Sequence, residues 1–93
     1  MLAPWMKDEK DPQRQINARA ETAHEKKTFA AAFAKGRCLI PADGFYEWQR
    51  GGSGPSKPFF IGRADGGPVA FAGLWRRNRL DDNTLFDSCA ILT

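Results

Sequence analysis

Histidine and cysteine are scarce in this sequence: one His and two Cys in 93 residues. No Cys-x-x-Cys pair or Cys/His cluster occurs, which argues against a zinc centre, so neither a metal nor another cofactor is expected. Cys38 and Cys89 sit in the apolar stretches Arg37-Cys38-Leu39-Ile40 and Ser88-Cys89-Ala90-Ile91. That placement predicts two reduced, buried thiols that behave as small hydrophobes. Long apolar runs are missing too. None approaches the roughly 20 residues of a bilayer span, which removes a transmembrane helix and a membrane partner from consideration. The opening residues, Met1 to Asp8, lack the basic start and apolar stretch of a signal peptide, so an intracellular, cytoplasmic protein is expected. The glycines at 51, 52 and 54 are followed by no Gly-Lys-Ser/Thr that opens a helix, which excludes a phosphate-binding loop of that type.

What remains is ordinary globular composition, 42% apolar and 27% charged, which argues against a disordered tail, a collagen-like repeat or a coiled coil. The length fits one small domain, marginal alone because so short a chain buries only about two-thirds of its surface. The net charge of +3 is unevenly placed. Residues 1–37 carry 8 basic and 5 acidic side chains, whereas residues 38–93 carry 6 of each. The whole excess lies at the amino-terminal side. It permits a nucleic-acid partner without requiring one.

Residues 1–21 mix Pro4, Pro12 and many charges and read as loop or extended chain. Thr22-Ala23-His24-Glu25 is then a capping box, with Phe29 and Phe33 four apart, alanines between them and Gly36 as a stop; a helix over 23–35 is predicted. Strands are predicted at 37–40, 44–49, 59–63, 69–75 and 84–93, with a hairpin loop at 51–56, a turn at 64–67 and a polar loop at 76–83. Antiparallel strands with one packed helix give an α+β fold in which the strands form a partly closed barrel. The strand-like residues up to Thr93 and the abrupt start suggest an internal piece of a larger domain, whose exposed edges would favour self-association.

Two stretches carry the chemistry. In Pro41-Ala42-Asp43-Gly44-Phe45-Tyr46-Glu47-Trp48, Glu47 is set among three aromatic residues. A carboxylate held among apolar rings loses hydration and is favoured in its protonated form, as a general acid requires. A strand glutamate that simply faces water fits the same spacing. In Ile16-Asn17-Ala18-Arg19-Ala20-Glu21-Thr22, Asn17 offers donors and an acceptor and Arg19 a guanidinium fork suited to phosphate. The plainer reading makes both surface residues ahead of a capped helix. Trp5 and Trp75 are candidates for base stacking or for the core. His24 reads as an exposed residue, and Arg76-Arg77-Asn78-Arg79, followed by Asp81 and Asp82, as a solvated loop.

Taken together, Ile16–Thr22 and Arg37–Trp48, with Pro4-Trp5 before them and Ala70–Trp75 after them, resemble the SOS-response-associated peptidase (SRAP) family in the same order. The resemblance covers nearly the whole chain. It implies a sensor of abasic sites in single-stranded DNA. In that family a terminal cysteine attacks the open-chain aldehyde of the abasic sugar: its amine forms a Schiff base and its thiol closes a thiazolidine, leaving a DNA–protein cross-link. By that resemblance Asn17 matches the asparagine near the nucleophile, and Glu47 the glutamate that assists ring opening and proton transfer. Arg19 matches a DNA-backbone contact, and Trp5 an aromatic residue that helps splay the strand. Position 2 is Leu2 and not cysteine, neither Cys38 nor Cys89 supplies an α-amine beside its thiol, and His24 does not match the family's histidine. The expectation is a partial SRAP-like domain over 1–93, without the family's flanking segments and incompetent for the cross-link. It would serve instead as a non-catalytic single-stranded DNA-binding module or be an inactive fragment.

Overall fold

The computed structural model describes residues 1–49 and 51–93. In chain order it contains β1 (Asn17–Ala18), α1 (Ala30–Lys35), β2 (Arg37–Ala42), β3 (Phe45–Gln49), β4 (Lys57–Ile61), β5 (Val69–Arg79) and β6 (Leu85–Leu92). Four strands form one sheet in the order β1-β6-β5-β2, and β3 and β4 form a separate two-stranded sheet. The chain divides into two compact units. The first comprises residues 1–40 and 72–93, the second residues 41–71.

The first unit is built on the antiparallel β5–β6 pair, whose register runs from Gly73 opposite Ile91 to Arg79 opposite Leu85. Strand alternation turns Leu74 and its partner Ala90 inward, where both are buried. They join Met1, Ala18, Ala23, Phe29 and Ala32 in the main core cluster, with Phe33 and Leu92 packed against it. A second cluster gathers Leu2, Ala3, Met6 and Leu80, with Phe86 against it. Asn78, on the inward face of β5, is buried, and its Nδ2 donates to the carbonyls of Ala3 at 3.0 Å and Met6 at 3.1 Å. The amino-terminal segment is thereby stitched to the sheet. This inward asparagine belongs to the stretch the sequence reads as a solvated loop; β5 runs on through it to Arg79, because Arg76, Arg77, Asn78 and Arg79 all find partners on β6.

Several expectations are corrected. The predicted helix over 23–35 is a short α1 of six residues, and residues 20–29 form turns ahead of it. The capping box does not form: the Thr22 N–H that Glu25 would accept from already donates to the Arg19 carbonyl, and the Glu25 carboxylate lies 3.3 Å from His24. β-Branched Thr28 then weakens helix propagation. The sheet is mixed, since β1 pairs with β6 in parallel, and the sheets do not close into a barrel. Cys38 and Cys89 are free, but Cys89 is exposed and Cys38 half-buried. Burial, reinforced by the Cys89 thiol, pushes the Cys38 thiol above its ordinary pKa.

On the outward face of β5–β6, Arg77 and its register partner Asp87 form a bidentate pair at 2.7 and 2.9 Å. The Arg77 guanidinium holds the Asp87 carboxyl below its ordinary value of 3.8. A depressed folded-state pKa contributes stability that is present above the unfolded value and lost as pH falls through the lower folded one. In Arg77→Ala, the Asp87 carboxyl titration followed by NMR should move back up toward 3.8; an unchanged midpoint would assign the depression to another group.

The second unit is a β3–β4 hairpin in register from Phe45–Ile61 to Gln49–Lys57. Its linking segment 51–56 includes Gly51, Gly52 and Gly54 at positive φ, where a side chain would be strained. Phe45 stacks edge-on against Phe71 and Tyr46 against Phe60. The faces of this hairpin stay open: Tyr46, Trp48, Phe59, Phe60 and Ile61 are all exposed.

Candidate nucleic-acid interface

In β1 the backbone is held against β6 by bonds from Ile91 N–H to the Ile16 carbonyl and from Thr93 N–H to the Ala18 carbonyl, both 2.8 Å. Side chains therefore alternate in direction. Ala18 is buried in the main core, while Asn17 is exposed on the opposite side. Gln15, Asn17 and Arg19, each two residues apart, line one cavity of about 440 Å³. Thr22, Lys26 and Thr28 line it from the turns that follow, and Phe29, buried at the start of α1, completes it.

Turn geometry fixes the second group of residues. The Arg19 carbonyl accepts from the N–H groups of Thr22 and Ala23 at 3.2 and 2.9 Å, and the Thr22 carbonyl accepts from Glu25 and Lys26 at 3.0 and 3.2 Å. Those bonds fold residues 19–26 back over the end of β1. Two cations, two amides and two hydroxyls face the cavity without a carboxylate among the lining residues. The ion pairs lie elsewhere, at Arg63–Asp65 and Arg77–Asp87, and His24 contacts Glu25, so among the described residues neither Arg19 nor Lys26 is ion-paired. Such a set suits an anionic ligand that also accepts hydrogen bonds. Among the described residues no group of three or more His, Cys, Asp or Glu side chains is placed to hold a metal ion. Among the described residues no helix is long and apolar enough to cross a membrane.

The structure thus brings Asn17 and Arg19 together. Trp5 is in the same unit but does not line the cavity. The Met6 N–H bonds the Ala3 carbonyl at 3.0 Å, and this turn buries Ala3 and Met6 while leaving Trp5 between them 58% exposed. Trp75 is exposed as well, at 41%, so neither tryptophan is a core residue. Glu47 belongs to the second unit, on β3 directly opposite Phe59. The enclosure by rings expected for it is not observed. Glu47 is exposed, because alternation sends Tyr46 and Trp48 to the other face of a sheet only two strands wide. Gln15, Lys26 and Thr28 were not singled out in the sequence. Gln15 shares the parity of Asn17 and Arg19, a usable signal, whereas Lys26 and Thr28 lie in the turns that stand where a helix is predicted.

The family model described as SOS response associated peptidase (SRAP) matches residues 1–93. The chain belongs to the SRAP family. Among its curated relatives, the SRAP chain is 43% identical over 94 residues to the abasic site processing protein YoqW of Bacillus subtilis (strain 168), and 41% identical over 93 residues to YoaM of the same organism. Both matches take in 100% of this chain, but 42% and 41% of those relatives. The chain therefore spans about two-fifths of the length of the curated relatives it matches. A crystal structure of a Bordetella bronchiseptica protein superposes with a TM-score of 0.84 at 42% identity, covering 99% of this chain and 46% of that one.

Proposed function

We propose that this SRAP chain engages abasic sites in single-stranded DNA, and that the cavity beside β1 is where the strand is held. The observation that carries the reading is the convergence of Asn17 and Arg19, by strand alternation, on a cavity that bears cations and amides but no carboxylate. Relatives at 41–43% identity named abasic site processing proteins support the same partner. Arg19 takes a phosphate of the backbone through its guanidinium fork. Asn17, donor and acceptor at once, hydrogen-bonds the opened sugar at the position without a base. Trp5, presented at the apex of its turn, offers a face on which a neighbouring base stacks. By the family resemblance alone, Glu47, exposed on β3 of the second unit, is the residue for proton transfer in ring opening.

Ring opening presents an aldehyde, and a stable adduct then needs an amine and a thiol on one carbon framework: the amine condenses with loss of water, and the thiol adds to the resulting imine. Cys38 and Cys89 lie within strands, where their nitrogens are peptide amides, so neither supplies that pair. Cys38 and Cys89 should therefore form no such adduct, and the β1 cavity holds the strand non-covalently. Fluorescence anisotropy with a labelled abasic oligonucleotide is the test. Binding should weaken as salt rises, as phosphate contacts require. Loss of the charged hydrogen bond in Arg19→Ala should cost about 10- to 100-fold in affinity, and Asn17→Ala should reduce the preference for abasic over intact strands. Salt-independent binding would defeat the phosphate assignment. A shifted band that survives denaturing electrophoresis would defeat the non-covalent one.

A further inference from the structure

We propose that Lys26 is a second phosphate-gripping residue of the β1 cavity, closing with Arg19 on the phosphodiester backbone of a single strand. The inference rests on the cavity being the strand-binding site and adds a residue that no family motif quoted above contains. Its grounds are local. Lys26 and Arg19 line the same cavity, neither is ion-paired among the described residues, and no lining residue is acidic. Two like charges that face one cavity repel each other when it is empty, and an anion between them reverses that cost.

The backbone of Lys26 is firmly placed for this task. Its N–H donates to the Thr22 carbonyl at 3.2 Å, and its carbonyl accepts from both Phe29 and Ala30 at 2.9 and 2.8 Å. Phe29, 5% exposed, anchors that turn in the main core. Lys26 is thus the junction between the turns and α1, and its ammonium is the mobile end of a fixed stem. Thr22 and Thr28 also line the cavity, and their hydroxyls are neutral donors suited to the remaining oxygens. Lys27, the next residue, carries the same charge but does not line the cavity, which makes it the natural control.

The experiment compares the salt dependence of abasic single-stranded DNA binding for the wild-type chain, Lys26→Ala, Lys26→Arg and Lys27→Ala. Each phosphate contact on a single strand contributes about 0.7 to the slope of log affinity against log salt. Lys26→Ala should flatten the slope by about that amount, Lys26→Arg should restore it, and Lys27→Ala should leave it near wild type. A second measurement needs no variant: acylation of lysines with an amine-reactive reagent, read by mass spectrometry, should show Lys26 protected by the oligonucleotide and Lys27 not. Salt-sensitive wild-type binding with an unchanged slope in Lys26→Ala, or equal acylation of Lys26 with and without DNA, overturns the role of Lys26 and leaves the strand-binding reading standing. Failure of the wild-type chain to bind DNA in a salt-dependent way overturns both.

Discussion

Leu74→Ala is expected to lower the unfolding free energy of this chain by about 2–5 kcal/mol, toward the upper end of that span. Leu74 has 0% exposure and, with Leu2, is one of the two largest fully buried side chains. Four of its cluster mates, Ala18, Ala23, Ala32 and Ala90, are alanines whose methyl groups are fixed to the backbone. They cannot swing into the space that a truncated leucine leaves, and a cavity that stays open costs more than one that collapses. A small domain holds only about 5–15 kcal/mol in total, so the loss should be visible as a large fall in the urea midpoint. The site should fail with the core. Ala18 separates Asn17 from Arg19, and Phe29 belongs to the cavity and the cluster alike. Strand binding by Leu74→Ala should decline at denaturant concentrations the parent tolerates. Leu74→Met, which keeps the volume, should cost less than about 1.5 kcal/mol. A Leu74→Ala variant within about 1 kcal/mol of the parent would show that the alanines around it do not set the packing.

The elements legible in the sequence were those with strong local signals. The β3–β4 hairpin was expected at 44–49 and 59–63 and is observed at Phe45–Gln49 and Lys57–Ile61, because a glycine-rich connector between two apolar runs allows little else. The strand containing Ser88-Cys89-Ala90-Ile91 was legible as an apolar run that follows the polar turn Asp81-Asp82-Asn83. Tertiary context overrode local pattern where the prediction failed. Residues 76–79 look solvated as text, yet Asn78 turns inward to carbonyls 75 and 72 positions away. Residues 23–29 have helical composition, but their backbone bonds come as separate turns, such as Ala23 to Arg19 and Lys26 to Thr22, and not as a continuous i→i−4 ladder. A two-residue parallel strand such as β1 has no sequence signature at all. It exists because β6 offers it an edge.

The candidate site was legible in proportion to its dependence on motif. Asn17 and Arg19 stood out by their chemistry and by the family pattern, and they share a cavity. Their partners across it were not legible, since Lys26 and Thr28 arrive there through turn bonds that residue types do not announce. For Glu47, counting aromatic neighbours along the chain was the wrong measure. In a strand only the residues two positions away and the cross-strand partner share its face, here Phe45, Gln49 and Phe59. Two rings on one side of a two-stranded sheet do not enclose a carboxylate, and Glu47 is exposed accordingly.

Gly36→Ala should be nearly as damaging as Leu74→Ala, at about 3 kcal/mol, although it adds a single methyl group. Gly36 follows α1 and sits at the point where the chain turns into β2. Its N–H closes the helix by donating to the Ala32 carbonyl at 2.6 Å, and its carbonyl accepts from the Trp75 N–H at 2.7 Å. A Cβ at this position would fall well inside contact distance of the Trp75 carbonyl oxygen. That oxygen is backbone, so no rotamer change relieves the clash: either β5 shifts away from the helix end or the Gly36–Trp75 bond breaks. The φ of −128° is open to any residue, so the effect is steric and not conformational. Gly62→Ala is the contrasting substitution. A Cβ there meets the Asp43 carbonyl at 3.4 Å and Phe60 at 3.5 Å, ordinary contacts, and the reduced freedom of the unfolded chain should leave stability within about 1 kcal/mol of the parent. Urea unfolding of the two variants side by side checks the pair, and equal midpoints would mean that the helix end can give way to the added methyl without loss.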